Sequence, residues 1–247
     1  MSLDINSAFQ SEKFQKVLEI FKDPLKKFIV IDGVIGAGKT TVISLIEKYT
    51  NSDSNGDSNK KKLQIKAIYE PVEKWNSTGA LQYFYQDITK NCYEFQTYTY
   101  ITRIASVIDE IYENQDADIY ILERSIFTDR YIFMELLKDL VGEMRMTMYN
   151  QWCDMWAYIM PMRVDKWVLL NTSLNESLKR IASRNRDGET SGISVEYQTN
   201  LYDKHIEFYD KLKKDGKPVI IIESNIMDKD FINDDSKIID IIEKIIG

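Results

Sequence analysis

The sequence predicts an α/β protein whose core is a five-stranded parallel sheet with helices on both faces. Short apolar runs alternate with segments of helical period, and a Gly-rich turn joins the first run to a helix. Gly33, Glu70 and Glu123 each stand at the end of such a run. In a parallel sheet wound by right-handed crossovers those carboxyl ends line one crevice, where ligands bind.

The elements follow in order. Phe14, Val17, Leu18 and Phe21 lie at helical spacing, predicting a short peripheral helix that ends near Asp23 and Pro24. Phe28, Ile29, Val30 and Ile31 form the first strand, which runs through Asp32 into GVIGAGKTT and then a helix carrying Val42, Ile43, Leu45, Ile46 and Tyr49. Gly33, Gly36 and Gly38 let the backbone wrap so that successive N–H groups and the positive helix end point at one anion. The spacing from Gly33 to Gly38, Lys39 and Thr40 matches the phosphate-binding P-loop, so binding of a nucleoside triphosphate is expected. Lys39 is expected to reach the outer phosphates from a solvent-facing loop end, and the Thr40 hydroxyl is placed for Mg²⁺.

Residues 51–62 contain no apolar side chain and predict a flexible insertion. The second strand, 63–69, ends at Glu70 and Pro71, and the proline sets the exit direction. Residues 81–85 and 95–111 suit two aromatic-rich helices around a pocket, and a third strand, 119–122, ends at Glu123-Arg124-Ser125. Residues 131–140 and 149–160 predict a pair of long helices whose apolar surplus fits either a dimer interface in a helix bundle or an ordinary core. A fourth strand at 166–170, helices at 174–184 and 195–212, a polar loop between them, a fifth strand at 218–222 and a helix at 235–246 complete the chain. One domain over 1–247 is expected.

Composition narrows the function classes. No apolar run approaches the roughly 18 residues of a membrane span, and the polar N-terminus resembles neither a signal peptide nor an Arg-rich transit segment. With only Cys92 and Cys153, a reducing cytoplasmic location is the expectation. His205, the single histidine, reads as a surface or packing residue, and a His/Cys metal site is excluded. A net charge of −7 argues against a nucleic-acid partner. Arg180, Arg184 and Arg186 nonetheless cluster into a local basic site.

Five segments in combination resemble the deoxynucleoside kinase family: GVIGAGKTT, EPVEKW at 70–75, FQTY at 95–98, ERSIFTDRYIF at 123–133 and RIASRNRDGE at 180–189. The resemblance runs from about residue 28 to about 231. It implies a P-loop kinase fold, ATP as phosphate donor, Mg²⁺ and a deoxynucleoside acceptor. Gly33, Gly36, Ala37, Gly38, Lys39, Thr40, Thr41 and Arg180 would hold ATP, with Thr40 and Glu123 on the metal. Glu70 would take the proton of the 5′-hydroxyl, a role open to a strand-end carboxylate, which taken alone is equally a solvated acid. Arg124 would orient Glu70 and the 5′-oxygen. Residues 184–192 would form an arginine-rich lid in which Arg184 and Arg186 close over the phosphates, the plainer alternative being a basic helix terminus.

On the acceptor side the resemblance places Tyr85 and Glu189 at the 3′-hydroxyl, Trp75, Phe95 and Phe133 as walls of the base pocket, and Gln96 at the base edge. Arg103 lies two helical turns beyond Gln96 on the same face. Family members acting on deoxycytidine and deoxyguanosine have an arginine and an aspartate at Arg103 and Asp129, so cytosine and purine deoxynucleosides are expected over thymidine. The insertion, Thr99 in the pocket and Gly188 in the lid depart from the family. Two further readings stay open: a nucleoside monophosphate kinase like thymidylate kinase, through Asp129-Arg130-Tyr131, and a nucleotide-dependent switch without an acceptor. No nucleic acid or membrane partner is expected, and a homodimer is.

Overall fold

The computed structural model describes residues 11–51, 63–184, 192–224 and 234–247. Its sheet comprises β1 (Lys27–Asp32), β2 (Ile65–Ile68), β3 (Ile119–Glu123), β4 (Lys166–Asn171) and β5 (Val219–Glu223). The order is β2-β3-β1-β4-β5 and every pairing is parallel. β1 is central and is buried from Phe28 to Asp32. The chain leaves β1 toward β2 and β3 on one side and later fills β4 and β5 on the other, so the crevice opens at the top of β1 and β3. All five strands fall within two residues of their expected bounds.

The helices are α1 (Glu12–Lys22), α2 (Lys39–Asn51), α3 (Val72–Ser77), α4 (Ala80–Gln86), α5 (Ile88–Glu113), α6 (Ile126–Thr128), α7 (Lys138–Val141), α8 (Glu143–Ile159), α9 (Leu174–Arg184), α10 (Val195–Lys214) and α11 (Asp235–Ile246). α5 begins seven residues earlier than expected, at a point where Asp87 caps it by accepting from the Lys90 N–H at 3.2 Å. α1 is not peripheral. Val17, Ile20 and Phe21 are buried, and Phe21 stacks on Phe28, which stacks on Tyr120, with centroids 4.7 and 5.2 Å apart.

The expected long helix at 131–140 is also corrected. A Ser125–Thr128 capping box starts α6 earlier, a π-helical turn follows over Asp129–Met134, and the chain breaks at Leu137 before α7. Ile132, Phe133 and Met134 are buried in succession. An apolar run enclosed on most sides carries no period from which a widened turn could be read. The second member of that pair exists as α8, but only Tyr149 and Cys153 of it are buried. Nearly all of the insertion, and Arg186, Gly188 and Glu189 of the expected lid, lie outside the described residues. Among the described residues no helix is long and apolar enough to cross a membrane.

Candidate active site

The turn after β1 is held open by glycine for steric reasons. Gly36 has φ +81°, and a Cβ there would fall 2.6 Å from the Ser177 carbonyl oxygen. Lys39, expected to face solvent, is buried instead, 6% exposed, with its Nζ donating to the Gly33 and Val34 carbonyls at 3.2 and 3.1 Å. Burial, aided by the like charge of Arg124, pushes its amine down to about 8 against the pull of Glu70, Glu123 and Asp32. The Thr40 hydroxyl donates to Glu123 Oε1 at 2.7 Å, so the two residues expected at the metal meet. Arg180 braces the loop from α9, donating to the Ala37 carbonyl at 3.2 Å, to the Ser224 hydroxyl and carbonyl, and to Glu176. Arg184, at the exposed end of α9, lines the same cleft.

Opposite the loop stands a buried charge cluster. Arg103, on α5, forks onto Asp129, with Nε donating to Oδ2 at 2.7 Å and Nη2 to Oδ1 at 3.1 Å. Its Nη2 also donates to Glu70 Oε1 at 2.8 Å, and its Nη1 to the Glu123 carbonyl at 3.0 Å. Burial works to raise the Glu70 carboxyl, but Arg124, Arg103 and Lys39 outweigh it and hold the group well below the usual carboxylate range. At Asp129 the balance reverses, because burial pushes the carboxyl up by more than the Arg103 fork pulls it down. The two carboxylates that share Arg103 are therefore driven apart, leaving Glu70 the more ionised.

Arg124 is the only described residue other than glycine with positive φ, +62°. That left-handed turn ends β3 and sends the side chain back over the P-loop. Nη2 donates to the Gly33 carbonyl at 2.9 Å, Nη1 lies 3.8 Å from Glu70, and the guanidinium caps the Phe133 ring at 4.6 Å.

These groups line one cleft of about 860 Å³, whose far end is aromatic. Phe84 stacks on Phe95 at 4.5 Å, and Trp75 meets Phe95 edge-on while donating to the Thr102 hydroxyl at 2.9 Å. Gln96 is 2% exposed, and its amide has no hydrogen bond among the described residues. Thr99 turns its hydroxyl onto its own helix, donating to the Gln96 carbonyl at 3.0 Å. Tyr85 is half-buried against Gly192, where an added Cβ would lie 2.9 Å from the tyrosine Cβ. Arg130 turns away from the cleft to Asp154 and Asn150, so Asp129-Arg130-Tyr131 does not act as one unit there.

The sequence profile of the deoxynucleoside kinases matches residues 29–246. The chain belongs to the deoxynucleoside kinase family. This deoxynucleoside kinase is 30% identical to a probable deoxycytidine kinase of fowlpox virus over 85% of its own length and 83% of the relative's. It is 27% identical to deoxycytidine kinase 2 of Gallus gallus, over 88% of each chain. It is 28% identical to the mitochondrial thymidine kinase 2 of Homo sapiens, over 81% of this chain and 71% of that one.

All the expected site residues within the described range line the kinase's cleft except Gly33, which is held beneath it, and Ala37, whose carbonyl is turned to Arg180, Thr172 and Ser224. Sequence reasoning missed Phe84, the platform under Phe95, and Tyr197, a phenol on α10 that borders the cleft. The aromatic richness of 81–85 was the signal for Phe84, whereas Tyr197 had none, since the helix expected at 195–212 carried no mark of a side facing a pocket. His205 is a correction in part: it packs, but deep inside and against Asp32.

Proposed function

We propose that this deoxynucleoside kinase transfers the γ-phosphoryl group of ATP to the 5′-hydroxyl of a purine or cytosine deoxynucleoside, a purine slightly preferred, over thymidine. The observation that carries the reading is Glu70, set between the buried Lys39 end of the P-loop and the Gln96 end of the aromatic pocket. Glu70 accepts the 5′-hydroxyl proton as the oxygen–phosphorus bond forms and the bond to the bridging oxygen of ADP breaks. Arg124 aligns the acceptor oxygen, Lys39 meets charge on the transferring group, and Arg184 and Arg186 close over the phosphates as part of a lid that excludes water. Gly33, Gly36, Ala37, Gly38, Thr40 and Thr41 cradle the donor with Arg180. Tyr85 and Glu189 take the 3′-hydroxyl, while Trp75, Phe95 and Phe133 enclose the base.

The donor set suits Mg²⁺. A hydroxyl and one carboxylate, Thr40 and Glu123, are hard oxygen ligands that leave the remaining positions to phosphate and water. Bound there, the ion would neutralise charge on the donor phosphates.

The Asp129 acceptor suits the exocyclic amine of cytosine or adenine, and Arg103 can donate to a guanine carbonyl. Thymine would set a carbonyl and a methyl against that pair. Initial rates with each of the four deoxynucleosides at fixed Mg-ATP test this. Thymidine as the best substrate would refute the specificity, and turnover of monophosphates alone would favour a thymidylate-kinase-like reaction.

The chain acts as one domain and a homodimer. Met144, Met148, Trp152 and Met155 lie one turn apart along α8 and are all exposed, an apolar stripe suited to a second copy. Light scattering of Met148→Asp with Trp152→Asp is expected to give a monomer where the unmodified protein gives a dimer. The free, buried Cys92 and Cys153 are consistent with a reducing, cytoplasmic setting.

A further inference from the structure

The reaction described above leaves unused two ionisable side chains at the centre of the molecule. Asp32 and His205 are both buried, and neither lines the cleft. His205 Nδ1 lies 2.7 Å from the Leu201 carbonyl oxygen and Nε2 lies 3.2 Å from Asp32 Oδ1. The two contacts pin the ring between its own helix and the Asp32 carboxylate, which fixes its orientation. Asp32 uses its remaining capacity on the site itself. Oδ1 accepts from the Gly33 N–H at 2.7 Å, and Oδ2 from the Thr128 hydroxyl at 2.7 Å. Burial favours the neutral acid, but His205, Arg124 and the Thr128 hydrogen bond together hold the carboxyl well below its ordinary value.

Arg124 stands on the other side of that carboxylate. Its Nε lies 3.6 Å from Asp32 Oδ1 and has no hydrogen bond among the described residues. Arg124 thus has one carbonyl partner at Gly33, one diffuse counter-charge at Asp32, and a free edge facing Glu70 at 3.8 Å. A buried guanidinium deprived of its counter-charge moves to the nearest carboxylate. Here that is Glu70, whose oxygens the acceptor hydroxyl needs.

We propose that Asp32 and His205 are positioning residues of the transfer reaction. His205 and Thr128 hold Asp32 in one rotamer, and the fixed carboxylate keeps the Arg124 guanidinium over Gly33, beyond hydrogen-bond distance of Glu70. His205 also meets the Phe133 ring edge-on, with centroids 6.3 Å apart, so a leucine in its place retains an apolar contact there. The inference rests on the reading of Arg124 as the group that aligns the acceptor oxygen with Glu70.

The test compares His205→Leu, His205→Gln and Asp32→Asn, with Arg124→Ala as control, by kcat and by calorimetric affinity for the deoxynucleoside. Glutamine carries an N–H near the reach of Nε2, whereas leucine carries none. His205→Leu is expected to lower kcat by about 10- to 100-fold, the scale of a misplaced reacting group, with affinity within about threefold. His205→Gln is expected to stay within about threefold of the unmodified kcat, and Asp32→Asn, which keeps the shape and loses the charge, to fall as leucine does. An unchanged kcat in His205→Leu, or a glutamine variant no better than leucine, would overturn the proposal. Should the leucine variant not fold, an unchanged kcat in Asp32→Asn overturns it equally. A fully active Arg124→Ala would remove the underlying reading and this inference with it. An inactive Arg124→Ala beside a fully active His205→Leu would overturn this inference alone.

Discussion

Asp129→Ala isolates the charge cluster at the base pocket. The carboxylate is 2% exposed and takes both arms of the Arg103 fork, at 2.7 and 3.1 Å. Unit charges about 4 Å apart attract by about 4 kcal/mol at an effective dielectric constant of about 20. Deleting one partner of a buried pair costs about 3–5 kcal/mol, most of it the orphaned charge. Arg103 would not be wholly orphaned, since it keeps Glu70 at 2.8 Å and the Glu123 carbonyl at 3.0 Å. The expected loss is therefore near the lower end, about 3 kcal/mol. Arg103→Met with Asp129→Ala removes both charges of the fork but also takes the 2.8 Å partner from Glu70, so it should be no more stable than Asp129→Ala alone. Urea unfolding of both single variants, the double variant and the unmodified protein measures this. The double variant also opens space for the thymine methyl, and should shift the ratio of kcat/KM for thymidine over deoxyadenosine roughly 5- to 150-fold, or about 1–3 kcal/mol. Asp129→Ala as stable as the unmodified protein, or a double variant more stable than Asp129→Ala, would refute the energetic reasoning. An unmodified protein that already prefers thymidine would refute the reading of the pocket.

Other outcomes follow from the same geometry. Glu70→Gln should keep deoxynucleoside binding while lowering kcat by roughly 10²- to 10⁴-fold, and a near-normal kcat would take Glu70 out of the mechanism. Because burial brings Lys39 down to about 8 from its ordinary 10.5, the empty protein loses that proton as pH rises through about 8. A bound triphosphate restores the proton, so ATP binding near pH 9 should take up protons. Calorimetry in two buffers of different ionisation heat reads this, and proton release instead would contradict the assignment. Gly36→Ala should weaken ATP binding and lower the melting temperature, because the methyl group would lie 2.6 Å from the Ser177 carbonyl oxygen at a backbone of φ +81°. An alanine variant that melts and binds normally would mean that the loop is not tightly enclosed.

The strands were legible because a strand of a parallel sheet is a short apolar run between turn residues, and all five have that form, β5 included although only Ile222 of it is buried. The P-loop was legible because its function requires glycine, lysine and a hydroxyl at fixed spacing. What escaped was set by tertiary enclosure. Nothing in the run from Tyr131 to Leu140 marks where a helix widens and breaks, since Ile132, Phe133 and Met134 are buried in succession and carry no period. Lys39 read as exposed because lysine usually is, but here Gly33 and Val34 carbonyls take its protons inside the fold. The Asp32–His205 contact joins residues 173 apart in sequence, and one histidine in a helix carries no trace of its partner.

The left-handed backbone at Arg124 has a meaning for anyone who evolves or stabilises this protein. A non-glycine residue at φ +62° costs on the order of 1–3 kcal/mol relative to one that tolerates that conformation, and here it is borne by the side chain suspended over the phosphate loop. Glycine or asparagine would relax the turn, but would also take the guanidinium away from the buried carboxylates of Asp32 and Glu70, at about 3–5 kcal/mol. The strain is smaller than the charge it keeps in place, so a library sorted on melting temperature alone would retain the arginine, and the same residue would survive a sort that counts product.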